Sequence, residues 1–381
     1  MDPLFLDLTA LSEAATDDAL EHLFKAVHDN DDGIWNPHES PLIRRLVELF
    51  TQRGLDRLDA VKAQIIAWEE GVHHKPSLAP VSKPGMMARW GADELSLVKL
   101  YLESLPPALW TLDDHMMAVE YVVQRYLPAG ELVAEAEWLA TKASMMGKVQ
   151  ANLEKPPTAS DASKLLAALP STVDAAVQAF HLSQPQKLAL EFGAMRAAEN
   201  VRALSESVRH QLRSTIMQHA EEQMLKVPGV PGEALQTRLV DQFANLNRDW
   251  RRIAVTEATE NSNQGFIASL KPGTKIKRVE QYANACSFCR KIDGKVVSVV
   301  APDEKYKDGE NSVWVGKNNV GRYAAPRKRV GNVLVPRDPE EMWWIPAGTA
   351  HPHCRGRWVR VLEDEPGDDP EFGVFLRKVL S

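Results

Sequence analysis

No proline interrupts the chain between Pro185 and Pro228. The intervening KLALEFGAMRAAENVRALSESVRHQLRSTIMQHAEEQMLKV is rich in Ala, Leu, Glu, Gln and Arg, all good helix formers. Leu190, Val201, Leu204, Val208, Leu212, Ile216 and Met224 lie close to a single stripe at helical spacing. One helix of up to about 40 residues is expected, about 60 Å long at a rise of 1.5 Å per residue. A rod of that length suits a strut or a surface for a second helix, including a second copy of the chain. The Pro-Gly-Val-Pro-Gly at 228–232 ends it.

Helical periodicity also fills the residues before the rod. PLIRRLVELFTQRGLDRLDAVKAQIIAWEEG (41–71) and LDDHMMAVEYVVQRYL (112–127) repeat apolar residues every three or four positions. HHKPSLAPVSKPGMM (73–87) reads as a loop, and EKPPTASDAS (154–163) as a linker ending in helix N-cap residues. A second long run, EALQTRLVDQFANLNRDWRRIAVTEATENSNQGFIASL, follows the rod and stops at Lys271-Pro-Gly. Beyond Lys271 the texture changes. KIKRVEQYA, GKVVSVV, SVWVG and KRVGNVLV are short, β-branched and bounded by Gly, Asn or Pro, as strands are. The fold class expected is α+β: a mostly helical N-terminal body with a long helix, then a small C-terminal α+β module. The divisions drawn are 1–182 (helical body), 183–250 (long helix and its successor), 251–360 (module) and 361–381 (acidic hinge and amphipathic tail).

Charge follows the same division. The 381 residues carry a net −7. Between Lys271 and Arg360 stand nine Lys, nine Arg and nine acids, a net of +9 that leaves −16 on the rest. A basic segment on an acidic chain implies two surfaces with different partners. The opening MDPLFLDLTALSEAATDDALEHLF has no basic leader, so no export signal is expected. No apolar run approaches the roughly 20 residues a membrane span needs, so no membrane partner is expected.

The three cysteines, Cys286, Cys289 and Cys354, all fall in the basic segment. An odd number without an export signal argues against a disulfide framework. Cys286-x-x-Cys289 has the spacing of a metal knuckle, and Gly294 just beyond it can supply the positive φ that closes a hairpin. His351-x-x-Cys354 is a second such pair, and together they make a Cys3His set suited to tetrahedral zinc. His351 is a better ligand than His353, because neighbours such as His353 and Cys354 chelate one tetrahedral ion awkwardly. Spacing alone leaves two readings open: structural zinc, or three reduced cysteines packed as small apolar groups. Catalytic readings find little support. The deaminase glutamate two residues after a ligating histidine is absent, since His353 and Arg355 hold those places. GxSxG, GxxxxGK[ST] and HExxH are absent as well.

RRIAVTEATENSNQGFIASL, then CSFCRKIDGKVV, then HPHCRGRW together resemble the phage Mu F-like minor head proteins, the head-morphogenesis family. The resemblance spans Arg251 to Trp358. It rests on Thr256-Glu257, on Cys286 and Cys289 with Gly294, and on His351, Pro352, Cys354 and Arg355. Two positions depart from the pattern. Val255 stands where the family commonly has arginine, and Gly356 where a further cysteine often follows Cys-Arg. The resemblance implies a structural metal, a non-enzymatic virion component at the portal vertex, and a role in head assembly, DNA packaging or delivery. Expected partners are portal or major capsid protein and sequence-independent genomic DNA. The expected location is the head, after assembly in the host cytoplasm. A zinc-dependent nucleic-acid enzyme of nuclease type and a plain DNA-binding module are the alternatives.

Several residues have both a functional and a plain reading. Glu257 is a catalytic acid or, as preferred here, one half of a buried ion pair with Arg251 or Arg252. Lys275, Lys277, Arg278, Arg322, Arg327, Lys328, Arg329 and Arg357 offer a footprint for phosphates, an acidic protein or only solvent. Trp343, Trp344 and Trp358 stack bases or fill a small core. His73 and His74 sit in a loop, and Asp113 and Asp114 favour a helix N-terminus.

Overall fold

The computed structural model describes residues 40–77, 79–153, 157–225, 235–361 and 369–380. The readings made on the N-terminal leader, on the Pro-Gly stop at 228–232, on the side chain of Met224 and on most of the acidic hinge lie outside them.

Local chemistry starts the helices. After α1 (Pro41–Glu69) and α2 (Ala92–Ser104) comes α3 (Leu112–Tyr126), opened by a capping box of Thr111 and Asp114. Asp114 is more than a dipole partner: its buried carboxylate also accepts from Tyr101 Oη at 3.0 Å and pairs with Lys83 at 2.8 Å. α4 (Ala129–Asn152) leads to α5 (Ala159–Ala168), capped by Thr158 with Asp161 as the linker reading anticipates, and to α6 (Val173–Ala179). The rod is α7 (Gln184–Met224), 41 residues, with Pro185 in its first turn and Gln186 reaching back to Ser183. Its successor is α8 (Leu235–Ala268).

The stripe on α7 is covered within the chain. Leu190, Val201, Leu204, Val208, Leu212 and Ile216 are buried against α3, α4 and α8. That stripe is therefore not available to a second copy, and Phe192 and Met195 stand exposed on another face. α4 and α8 cross so closely that a Cβ on Gly147 would lie 1.9 Å from Ser262 O, and one on Gly265 2.1 Å from Ser144 O. Trp250 of α8 fills the space that Gly54 of α1 leaves open, stacks on Phe50 at 5.3 Å and donates Nε1–H to Phe50 O.

A four-stranded sheet of order β3-β2-β1-β6 follows. β1 (Lys275–Val279) pairs antiparallel with β2 (Val296–Val299) and β6 (Arg357–Arg360), while β3 (Ser312–Val313) runs parallel to β2. The one-turn α9 (Ser287–Ile292) lies between β1 and β2. KRVGNVLV is two strands, β4 (Arg327–Val330) and β5 (Val333–Pro336), hinged at Gly331-Asn332 apart from the main sheet. β6 carries no strand reading in the sequence. The tail forms α10 (Pro370–Leu380), whose Phe372 and Leu376 join the core of the body.

The fold is α+β, with a helical body and a small C-terminal sheet region. The body core runs from α1 through the first two-thirds of α8, as far as Ala258. A second core gathers Ala151, Phe266, Ile267, Ile276, Val297, Val299, Val313, Ile345 and Trp358. α8 passes unbroken through the 250/251 division and serves both cores. Among the described residues no helix is long and apolar enough to cross a membrane.

Candidate metal centre

Cys286 caps the N-terminus of α9, and its Sγ accepts from the Cys289 N–H at 3.4 Å. One helical turn thus puts both sulfurs on one side. Gly294 has the positive φ expected of it, +76°, and donates its N–H to Arg278 O at 2.9 Å. It stops α9 one residue after the C-cap Asp293 and so differs from the hairpin turn expected there.

The other half comes from the loop between Gly348 and Gly356. His353 has φ +71°, a left-handed backbone few non-glycine residues adopt. Its N–H donates to Thr256 Oγ1 at 3.0 Å, which ties the reversal to α8. Two more α8 side chains hold this loop: Glu260 accepts from Thr349 Oγ1 at 2.9 Å, and Asn263 donates to Gly356 O at 2.8 Å. His351 Nδ1 lies 2.6 Å from Pro352 O, and Trp343 stacks on the ring at 6.1 Å. With Nδ1 turned to that carbonyl, Nε2 faces the sulfurs.

Nε2 of His351 is 3.2 Å from Cys286 Sγ and 3.3 Å from Cys289 Sγ, and Cys289 Sγ is 3.9 Å from Cys354 Sγ. Metal–ligand bonds of 2.0–2.3 Å give tetrahedral edges of about 3.3–3.8 Å. These three spacings are close to such edges, and Cys354 joins the group through Cys289, since among the described residues no set of donors within 4.8 Å of one another holds it together with Cys286 or His351. Two donor triads share Cys289: Cys286–Cys289–His351 and Glu280–Cys289–Cys354. The four ligands read from the sequence cluster, and the cluster could hold a metal ion. Cys289 and Cys354 also pack with Ala285 and Ala350 in a small apolar cluster, as the second reading expects.

The buried sulfurs of Cys289 and Cys354 share a hydrogen bond at 3.9 Å. The hydrogen bond from Cys289 holds the Cys354 thiol well below its ordinary range, and the Arg278 guanidinium adds to this. Burial pushes Glu280 up to about 7 against the pull of Arg278.

The other singled-out residues divide. Glu257 is half of a buried ion pair, but its partner is Arg196 of α7, at 3.0–3.2 Å through two nitrogens. Asn200 donates to it at 2.8 Å. The expected Arg251 and Arg252 do not take this part, because Glu257 faces α7. Pro352 supplies the carbonyl beside His351, and Arg355 is buried. Arg278 has none of its surface exposed, so the phosphate role read for it is ruled out. Arg322 lies 3.4 Å over the Trp344 ring and donates to Met342 O, and Lys328 pairs with Glu341 at 2.5 Å, so both are packing residues first. Lys275, Lys277, Arg327 and Arg329 stay exposed, and Arg357 is half-buried. Trp358 is core, with Nε1–H on Ala347 O. His73 is exposed, whereas His74 reaches Glu103 O.

Sequence reasoning missed Arg196, Glu260, Asn263 and Glu280. For Glu280 a signal existed: strand alternation puts Ile276, Arg278 and Glu280 on one inward face. For Glu260 and Asn263 the signal was the polar run TEATENSNQ within α8.

Comparison with known proteins adds no relative. No family model matches the chain, and neither a curated protein nor a solved structure gives a significant match.

Proposed function

We propose that Cys286, Cys289, His351 and Cys354 hold one structural zinc ion, and that the chain is a minor head protein of a tailed bacteriophage. In this reading it sits near the portal vertex and serves head assembly or DNA packaging and delivery. One observation carries it: two short motifs some sixty residues apart come together at Cys286, Cys289 and His351, and the second of them is held by Thr256 of a third. That is the motif order on which the Mu F-like resemblance rests. Three thiolates and an imidazole are ligands zinc favours, and four protein donors leave it no open coordination position. Closed sites of this kind staple small sheets that cannot bury enough apolar surface to hold themselves.

A non-enzymatic role agrees with Glu257, whose carboxylate is occupied by Arg196 and Asn200. The exposed Lys275, Lys277, Arg327 and Arg329 offer a surface for portal protein, capsid protein or DNA backbone. Two measurements test the proposal. Elemental analysis of the purified protein should find one zinc per chain, and mass spectrometry of purified virions should find the chain in the head fraction. Metal-free folded protein sinks the first half, and absence from virions sinks the second.

A further inference from the structure

We propose that Arg278, clamped by Glu280, is a positioning residue that holds the Cys354 sulfur for the ion. The inference rests on the zinc reading above. Arg278 and Glu280 are both buried, which is costly for charges unless they are paired. Arg278 Nε donates to Glu280 Oε1 at 2.6 Å, and Nη2 from the same edge of the guanidinium reaches Cys354 Sγ at 3.6 Å. The flat face of the guanidinium lies 5.1 Å from the Trp358 ring centre. At its backbone N–H, Glu280 donates to Asp293, the C-cap of the knuckle helix, at 2.9 Å. The pair is thus fastened both to Cys354 and to the segment carrying the other two sulfurs.

Burial explains why such a pair belongs here: Arg278, Glu280, Cys289 and Cys354 are all buried, so a charge at Cys354 has no water to face and needs a donor from the protein. Arg278 also decides where the ion sits. Its guanidinium borders the Glu280–Cys289–Cys354 triad and repels a cation there, so the ion lies on the side of the Cys286–Cys289–His351 triad, which Cys354 meets through its 3.9 Å contact with Cys289. Glu280 then clamps the arginine without being a ligand. Its carboxylate fills the space beside Gly356, where a Cβ would stand 2.0 Å from Oε1.

The test is zinc and cobalt binding by the full-length protein, comparing the natural chain with Arg278→Met, Arg278→Lys, Glu280→Gln and Gly356→Ala. Arg278→Met should weaken zinc about 10- to 100-fold, as loss of a group that orients a ligand does. Its cobalt form should lose thiolate-to-metal charge-transfer intensity, as three sulfurs become two. Arg278→Lys keeps the charge but cannot present two donors on one edge, so it should restore affinity in part and the spectrum not at all. Glu280→Gln should also weaken zinc, by loosening the clamp on Arg278, and Gly356→Ala should do the same by pushing the Glu280 carboxylate aside. Natural affinity and an unchanged cobalt spectrum in folded Arg278→Met would overturn the inference and leave the zinc reading standing. Should Arg278→Met not fold, the same two readouts on Gly356→Ala decide the matter. A natural chain that binds neither metal would overturn the zinc reading itself.

Discussion

The Arg196–Glu257 pair joins a carboxylate with 2% of its side-chain surface exposed to a guanidinium that keeps 40% of its own in water. Removing one partner is therefore not equivalent to removing the other. Arg196→Met leaves a buried carboxylate facing only Asn200 and Asn261, whereas Glu257→Gln leaves an arginine that can turn to solvent. Arg196→Met should cost a few kcal/mol, about 3 by analogy with broken buried pairs, and Glu257→Gln clearly less. Denaturant titration of both variants checks the order, and equal losses would refute the asymmetry. Lys142 permits a pH prediction of known sign. Its buried ammonium donates to Leu166 O at 2.6 Å and to Leu169 O at the end of α5, and burial lowers its pKa to about 8. The unfolded chain holds that proton up to its ordinary value of 10.5, so between pH 8 and 10.5 unfolding takes up a proton. Stability from this group therefore rises with pH across that window. The slope should be shallower in Lys142→Met, and an identical slope would refute the assignment.

Among elements, α8 couples the two cores, and its crossing with α4 sets how closely they approach. At Gly265 the obstacle to any side chain is the backbone of Ser144, which cannot move aside as a flexible side chain would. Gly265→Ala should cost about 1–3 kcal/mol by forcing the helices apart. The same displacement moves Thr256, Glu260 and Asn263, which hold the loop bearing His351 and Cys354. Zinc affinity should fall along with the denaturation midpoint. A destabilised variant with unaltered zinc affinity would show that α8 does not carry the coupling. The length of α7 was legible because a proline-free run of good helix formers is a local property. Its role was not, since a stripe suited to a second helix looks the same whether the partner comes from another chain or, as here, from α3, α4 and α8.

For the whole molecule, the zinc reading assigns the metal to the smaller core only. The body core is large and draws on nine of the described helices, including α10. The sheet core is small and depends on loops fastened at the cluster. Chelation should thus raise hydrogen exchange across residues 275–361 and leave α1, α3, α4 and α7 protected. Uniform protection after verified metal removal would mean that the centre staples nothing.

The sequence by itself settled what depends on near neighbours. It contained the helical spans between Pro and Gly, the acids Asp113 and Asp114 at the start of α3, the N-cap in the 154–163 linker, the Cys286 and Cys289 knuckle, and the choice of His351 over His353. Alternation could also have exposed Arg278 as inward-facing, since Ile276 two residues before it is core. Tertiary structure alone decided that Glu257 meets an arginine 61 residues away, that Arg278 lies beside Cys354, and that one helix threads both cores. The reason is physical. Backbone conformation answers to contacts within a few residues, but the fate of a buried charge is set by whichever distant group the packing brings to it.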